Sequence, residues 1–473
     1  MAVRRHHKRV LIYSHDSFGL GHLRRCRAIA HSLVDANPAL SILILSGSPI
    51  IGSFDFRSRV DFVRVPGVIK LRNGEYVSLN RHIDIEDTLA MRSSIIRHTA
   101  DIFDPDLLII DKEPLGLRGE ARDTLALLRR RGAALILGLR DVMDDPDALE
   151  SEWERKNAVP ALSEYYDEIW VYGLPQICDP LAGLPVPASV RRRIIYTGYL
   201  RRSAGEPLPT PEIRAVLDNE FLLVTPGGGG DGEALIDLVL QAYEGDRDIP
   251  LPALLVYGPF MLPEQQQAFT ARAARLPNVH AITFDARLEA LMARAAGVVA
   301  MGGYNTFCEI LSFDKPALIV PRTVPRMEQL IRAERAAELG LVAMLAGDNG
   351  RDPKVMAAAL RRLPCQPRPS SAIIPGLLDG MRNVNRLAGR WLGRGRVGRF
   401  AAGARAPSIN NSPTPFARSP RRSPKGNGRA RSSAAAVFTA CLSRPPVYLQ
   451  AHCSSAPTTT ARVTSTCRAQ SRS

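Results

Sequence analysis

The chain has 473 residues, 45% of them hydrophobic, and a net charge of +15; at this length two domains of about 200 residues each are expected. The charge is uneven: residues 391–473 hold 14 Lys and Arg and no Asp or Glu, which leaves 48 basic and 47 acidic residues in 1–390. A balanced body argues against nucleic acid as the partner, because nucleic-acid binding needs a basic footprint on the folded part.

The tail is Arg, Ser, Pro, Ala and Thr with few large apolar residues, a composition that cannot bury enough surface to fold. It is expected to be a disordered, dispensable extension over 394–473, with a basic anchoring arm as the rival reading. Seven cysteines (Cys26, Cys178, Cys308, Cys365, Cys441, Cys453, Cys467) form no C-x-x-C pair and no zinc spacing with the histidines. A reducing cytoplasm is the expected setting, with no metal and no cofactor. The first apolar run, RVLIYS, is too short for a signal core or a membrane span and reads as a strand.

Short apolar runs bounded by turn residues predict strands at 9–14, 41–46, 60–65, 106–111, 133–139, 168–172 and 193–198. Helical patterns alternate with several of them. The clearest is 22–35, where Leu23, Cys26, Ile29, Ala30, Leu33 and Val34 make one stripe. A Pro/Gly-rich break at 203–211 precedes a second series at 220–225, 253–257, 278–284, 297–301, 316–320 and 341–344, and a last amphipathic helix at 377–392. Continuous apolar strands alternating with helices predict an α/β fold of two doubly wound, Rossmann-like halves facing across a cleft, with domains at 1–204 and 205–393.

Three Gly-rich turns sit at predicted strand ends. Gly19-Leu20-Gly21-His22 opens the 22–35 helix but has Arg24 where a dinucleotide fingerprint needs a third glycine. Gly227, Gly228, Gly229 and Gly230 follow FLLVTP with no Gly-Lys-Ser/Thr after them, so they make no P-loop. Gly302 and Gly303 lead from a buried strand into a helix that carries Asn305, Thr306 and Glu309. That turn sets backbone N–H groups and a positive helix end against an anion, and Glu309 lies on the face of Thr306, where a carboxylate can accept from vicinal hydroxyls. Phosphate followed by ribose is the reading: a nucleotide clamp.

His22 stands at a helix N-terminus, a position that disfavours the imidazolium and suits a base. Arg24, Arg25 and Arg27 read as solvated charges plus one phosphate or carboxylate contact. Asp111 with Glu113, and Asp141, end strands at the cleft, where they serve the site or cap the next helix. Asp144-Asp145-Pro146-Asp147 reads as a helix cap rather than a metal site.

Taken together, Gly303-Tyr304-Asn305-Thr306, Glu309, Lys315-Pro316, Pro321 and Glu328-Gln329 resemble the GT-B nucleotide-sugar glycosyltransferases, above all the family-28 type that includes the N-acetylglucosaminyltransferase of peptidoglycan synthesis. The resemblance implies a nucleotide-sugar donor, UDP-sugar favoured, as partner. It places Gly302, Gly303 and Thr306 on the diphosphate, Glu309 on the ribose, and Glu328 and Gln329 on the sugar hydroxyls. Gly227–Gly230 matches the family's first C-terminal glycine loop and Phe284-Asp285 the loop that touches the base, with Gly21 and Asn305 counted among the donor-binding residues. Met301 stands where the plant-type motif carries a phosphate-binding histidine.

The run from DSFGLGHLRRC through DKEPLG to PRMEQ is similar to a bacterial group of predicted glycosyltransferases. Gly19–Cys26, a Gly-x-Gly-His-x-x-Arg-Cys pattern, also resembles the UDP-sugar hydrolase of the pseudaminic acid pathway, in which the histidine serves attack by water. A hexosyltransferase in polysaccharide biosynthesis is expected, with His22 as the base that deprotonates the acceptor hydroxyl and Asp111 as the further candidate catalytic residue. The resemblance leaves the acceptor open between a sugar, a lipid and water. A UDP-sugar hydrolase or epimerase on the same fold, and a non-catalytic nucleotide-sugar-binding protein, are the alternatives. Peripheral membrane contact stays open.

Overall fold

A computed structural model of the chain describes residues 7–15, 20–70, 76–79, 82–205, 218–347 and 351–394. The expectations for Gly19, for the break at 206–211 and for the basic tail from 395 onward fall outside these residues. Both sheets belong to one compact unit.

The first half contains β1 (Lys8–Ser14), β2 (Leu40–Ser46), β3 (Val60–Arg64), β4 (Val68–Lys70), β5 (Tyr76–Ser78), β6 (Leu107–Asp111), β7 (Ala134–Arg140), β8 (Glu168–Tyr172) and β9 (Ile194–Tyr196). The second contains β10 (Leu222–Thr225), β11 (Ala253–Val256), β12 (Val279–Ile282), β13 (Gly297–Ala300), β14 (Ala317–Ile319) and β15 (Ala343–Met344). Each expected strand is present to within two residues at either end. The antiparallel pair β4–β5 was not expected, because Val68–Lys70 is too short to show a period.

Seven strands form a parallel sheet in the order β3-β2-β1-β6-β7-β8-β9, and six form a second in the order β12-β11-β10-β13-β14-β15. Both faces of each sheet are covered, which is why the strands read as unbroken apolar runs. Val10 and Ile12 pack on the Gly21–Ala36 helix through Cys26, Ile29, Ala30 and Leu33, whereas Leu11 and Tyr13 face Ile96, Leu125 and Leu128 on the other side. In the second sheet Leu222 and Val224 face Ile236, Val239 and Leu360, and Leu223 faces Leu291 and Ile310. Truncating such a residue to Ala costs about 2–5 kcal/mol.

The last helix spans Gly380–Gly393 and starts later than its apolar pattern. Leu377 accepts from Tyr199 N at 2.8 Å and Gly380 donates to Tyr199 O at 3.1 Å, so the chain is pinned before the helix begins. Its stripe, Val384, Leu387, Ala388 and Leu392, joins the core of the Gly21–Ala36 helix, so the chain ends its second half on the first sheet. No helix of the described residues is long and apolar enough to cross a membrane. Cys26, Cys178, Cys308 and Cys365 are free thiols.

Candidate active site at the facing strand ends

In each sheet the chain winds outward in opposite directions from a central pair, β1 and β6 in the first, β10 and β13 in the second. Such switch points open a crevice at the carboxyl ends of the strands, where ligands bind. His22 follows β1, Asp111 ends β6, Gly227–Gly230 follow β10, and Gly302-Gly303 follow β13. Residues hundreds of positions apart thus occupy the two switch points.

On the first side His22 is the second residue of the Gly21–Ala36 helix, and its Nδ1 lies 2.5 Å from Asp111 Oδ2. A carboxylate in this place orients the ring and favours the tautomer with the proton on Nδ1 and the basic lone pair on Nε2. Arg25 forks onto the same carboxylate, at 2.7 Å to Oδ1 and 2.6 Å to Oδ2. Burial alone would raise Asp111, but Arg25 and His22 hold it well below the usual carboxylate range. His15, at the end of β1, stands edge-on to His22 with ring centroids 5.5 Å apart. Burial pushes the His15 imidazole well below its ordinary value, with His22 and Lys112 adding to that against the pull of Glu113.

On the second side the helix Tyr304–Ser312 begins at Gly303 with no side-chain cap and no acidic residue in its first turn. Its leading N–H groups therefore offer the donors and the partial positive charge that suit an anion. Gly302 sits at φ 80° beside Ile319, whose Cγ2 would lie 2.8 Å from a Cβ, so both conformation and space call for glycine. Gly227 and Gly229 also have φ near 90°. A Cβ on Gly229 would meet Tyr257 O at 2.4 Å, so this glycine packs against the neighbouring loop, while Gly227 faces open space. Gly228 and Gly230 lie against Phe260. Phe284 packs on the cluster of Leu20, Leu23, Ile51 and Phe54 from the first half.

Polar contacts join the two sides. Asn305 Nδ2 donates to Gly21 O at 2.9 Å while its Oδ1 accepts from Arg202 at 2.8 Å. The start of the His22 helix therefore touches the start of the Tyr304–Ser312 helix. Arg24 donates to Glu309 at 2.6 Å and to Glu289 at 2.7 Å. Arg332 forks onto Asp141, at 2.7 and 2.6 Å, and donates to Gly302 O at 2.9 Å. Arg140 pairs with Glu328, which also meets Arg322 at 3.5 Å.

Burial would raise Glu328, yet Arg140, Arg332 and Arg322 hold it down to about 2. Glu309 behaves oppositely: burial and the nearby Glu289 outweigh Arg24, whose charge is shared, and push the carboxyl up to about 7. Its Oε2 has no hydrogen-bond partner among the described residues.

The cleft thus gathers His22, Asp111, Gly21, Asn305 and Glu309, with Gly302, Gly303 and the buried Thr306 at the foot of the same helix. Gln329 is buried and accepts from Arg322 N at 3.2 Å. Asp145 caps the Pro146–Arg155 helix through Asp147 N and Ala148 N, as its Pro predicted. Asp141 faces an arginine of the second half rather than capping a helix. The sequence suggested one phosphate or carboxylate contact for Arg24, Arg25 and Arg27, whereas Arg24 and Arg25 engage three carboxylates between them. The 3.6-residue period was the available signal, since Arg25 falls one turn beyond His22 on the same face. No group of three His, Cys, Asp or Glu among the described residues is placed to hold a metal.

Two facing doubly wound sheets, with a helix end suited to an anion across from a His–Asp pair, are the architecture of the GT-B class of glycosyltransferase fold. Residues 221–363 match the glycosyltransferase family 28 C-terminal domain, and the chain is a GT-B protein resembling family 28. The fold is shared with Phytolacca americana UGT2 complexed with UDP-2-fluoro-glucose and pterostilbene (TM-score 0.52, 14% identity, 82% of this chain and 96% of that one). It is shared as well with Acinetobacter baumannii MurG (TM-score 0.50, 14% identity, 81% and 99%) and with S. aureus MnaA bound to UDP (TM-score 0.54, 13% identity, 81% and 95%). No curated protein matches the chain. The family 28 domain on this fold supports glycosyl transfer as the chemistry.

Proposed function

We propose that the chain is an inverting, metal-independent hexosyltransferase that moves a sugar from a nucleoside-diphosphate sugar, UDP-sugar favoured, to a hydroxyl acceptor. His22 Nε2 takes the acceptor's proton, and Asp111 orients the ring and balances the imidazolium. The acceptor oxygen attacks the anomeric carbon as the bond to the diphosphate breaks, and the charge that develops falls on the start of the Tyr304–Ser312 helix and on Thr306. Preorganised donors of this kind are worth about 3–4 kcal/mol each. Glu309 accepts from the ribose, Phe284 lies by the base, and Gly227–Gly230 line the phosphates. Glu328 and Gln329 face the sugar. The domains of this reading are 1–204 for the acceptor and 205–393 for the donor, with the last helix, Gly380–Gly393, crossing back to pack on the first.

One observation carries the proposal. The Asn305–Gly21 contact at 2.9 Å sets the helix end that suits a diphosphate against the turn that presents His22. A base and a leaving-group site from opposite sheets are thereby adjacent.

Thermal unfolding of the full chain against UDP, dTDP, GDP, ADP and NAD tests it. A ligand at 100 times its dissociation constant adds about 2.7 kcal/mol of stability. Stabilisation by a pyrimidine diphosphate, lost in Glu309→Ala, is expected; a response to NAD alone, or to no nucleoside diphosphate, overturns the reading. Donor consumed rapidly with no acceptor present would assign the same site to a hydrolase or an epimerase.

A further inference from the structure

Arg25 follows His22 by one helical turn and is 1% exposed. Its guanidinium holds both oxygens of Asp111, and its Nη2 also lies 3.1 Å from His22 Nδ1. The Tyr304 ring covers the guanidinium from the second half, 5.3 Å from its carbon. A carboxylate beside a general base has two opposed effects. It fixes the ring and its tautomer, and its charge also favours the imidazolium, which cannot accept a proton. An arginine fork keeps the first effect, because two parallel bonds set the plane of the carboxylate. It offsets the second, because its charge faces the same ring.

We infer that Arg25 is a positioning residue: it locks the Asp111 carboxylate in the plane that meets His22 Nδ1 and offsets its charge, so that His22 rests unprotonated and ready to act. This rests on His22 being the base of the proposed reaction.

Among the described residues, the other groups beside the pair are neutral or already paired. His15, just after β1, is kept neutral by burial. Tyr172, from β8, faces Asp111, and Tyr304 faces Arg25; burial holds both phenols well above their ordinary value, so they stay uncharged. Cys26 is buried in the core beside Arg25. Arg140, from β7, is paired with Glu328. Lys112 and Lys156, on the His15 side, both pair with Glu113.

Titration of the His22 ring by NMR in the full chain, isotope-labelled at histidine and assigned by the signal lost in His22→Gln, reads this without any substrate. In Arg25→Met the midpoint is expected to rise by about one pH unit or more. Arg25→Lys keeps the charge and loses the fork, so a smaller rise is expected together with reduced turnover. Should Arg25→Met fail to fold, Arg25→Lys decides. A His22 midpoint unmoved in every folded Arg25 variant overturns the inference, because a merely structural arginine would lower stability and leave the titration in place. Turnover retained in His22→Ala would instead remove the base while leaving the titration result standing, so the two readings fail separately.

Discussion

Arg24 and Glu309 meet at 2.6 Å across the cleft, so the helix that carries His22 and the helix assigned to the ribose share one ion pair. Arg24 divides its charge with Glu289, and burial leaves the Glu309 carboxyl at about 7 rather than its ordinary 4.5. This carboxyl therefore changes state within the physiological range.

Donor affinity should follow that change. An ionised Glu309 accepts from both ribose hydroxyls and a protonated one does so poorly, so UDP should bind up to about tenfold tighter at pH 8 than at pH 6. Calorimetric titration checks this, with Glu309→Gln expected to be weak and flat; a pH-independent affinity in the unsubstituted chain sinks it. The sign for stability is opposite. A folded value above the ordinary one stabilises the fold below pH 4.5, and that contribution is lost as pH rises through about 7.

His22→Ala should reduce turnover by about 100-fold or more while nucleotide affinity stays nearly unchanged, since a base acts only in the transition state. Asp111→Asn should lower turnover similarly by releasing the ring, and should also destabilise the fold by about 3–5 kcal/mol because Arg25 loses its charge partner in the interior. Steady-state kinetics with denaturant unfolding separates the two effects. Full activity in His22→Ala would shift attention to Asp111 alone.

Arg332→Met removes a guanidinium that serves Asp141 and the Gly302 carbonyl together. Breaking this buried pair should cost about 3–5 kcal/mol. Because Gly302 then loses its tie to the first half, nucleotide affinity should fall as well. Chemical denaturation and UDP binding measured on one preparation give both; lost stability with unchanged affinity would confine Arg332 to folding.

Deleting 396–473 should leave turnover and UDP binding unchanged, since the segment lacks the apolar residues to build part of a core. Lost activity in the shortened chain, or lost localisation in cells, would favour the anchoring arm.

The strands were legible because both sheets are covered on both faces. Runs such as RVLIYS and DLLIID contain little but apolar residues, and only a strand buried on two sides demands that. The glycine turns were legible as well, since Gly302 and Gly229 have backbone conformations and neighbours that admit no side chain. The partners of the charged residues were not. Asp111 and Asp141 look alike in sequence, each a carboxylate at a strand end. One meets His22 and the other meets Arg332.

By itself the sequence determined two doubly wound halves, their glycine turns and a histidine at a helix start, because these follow from local period and backbone sterics. Only the tertiary structure decided that His22 pairs with Asp111, that Arg25 holds that aspartate, and that Arg24 reaches Glu309. Such pairings join residues 86 to 285 positions apart. They depend on strand order and on how the two sheets face, which no local pattern of residues encodes.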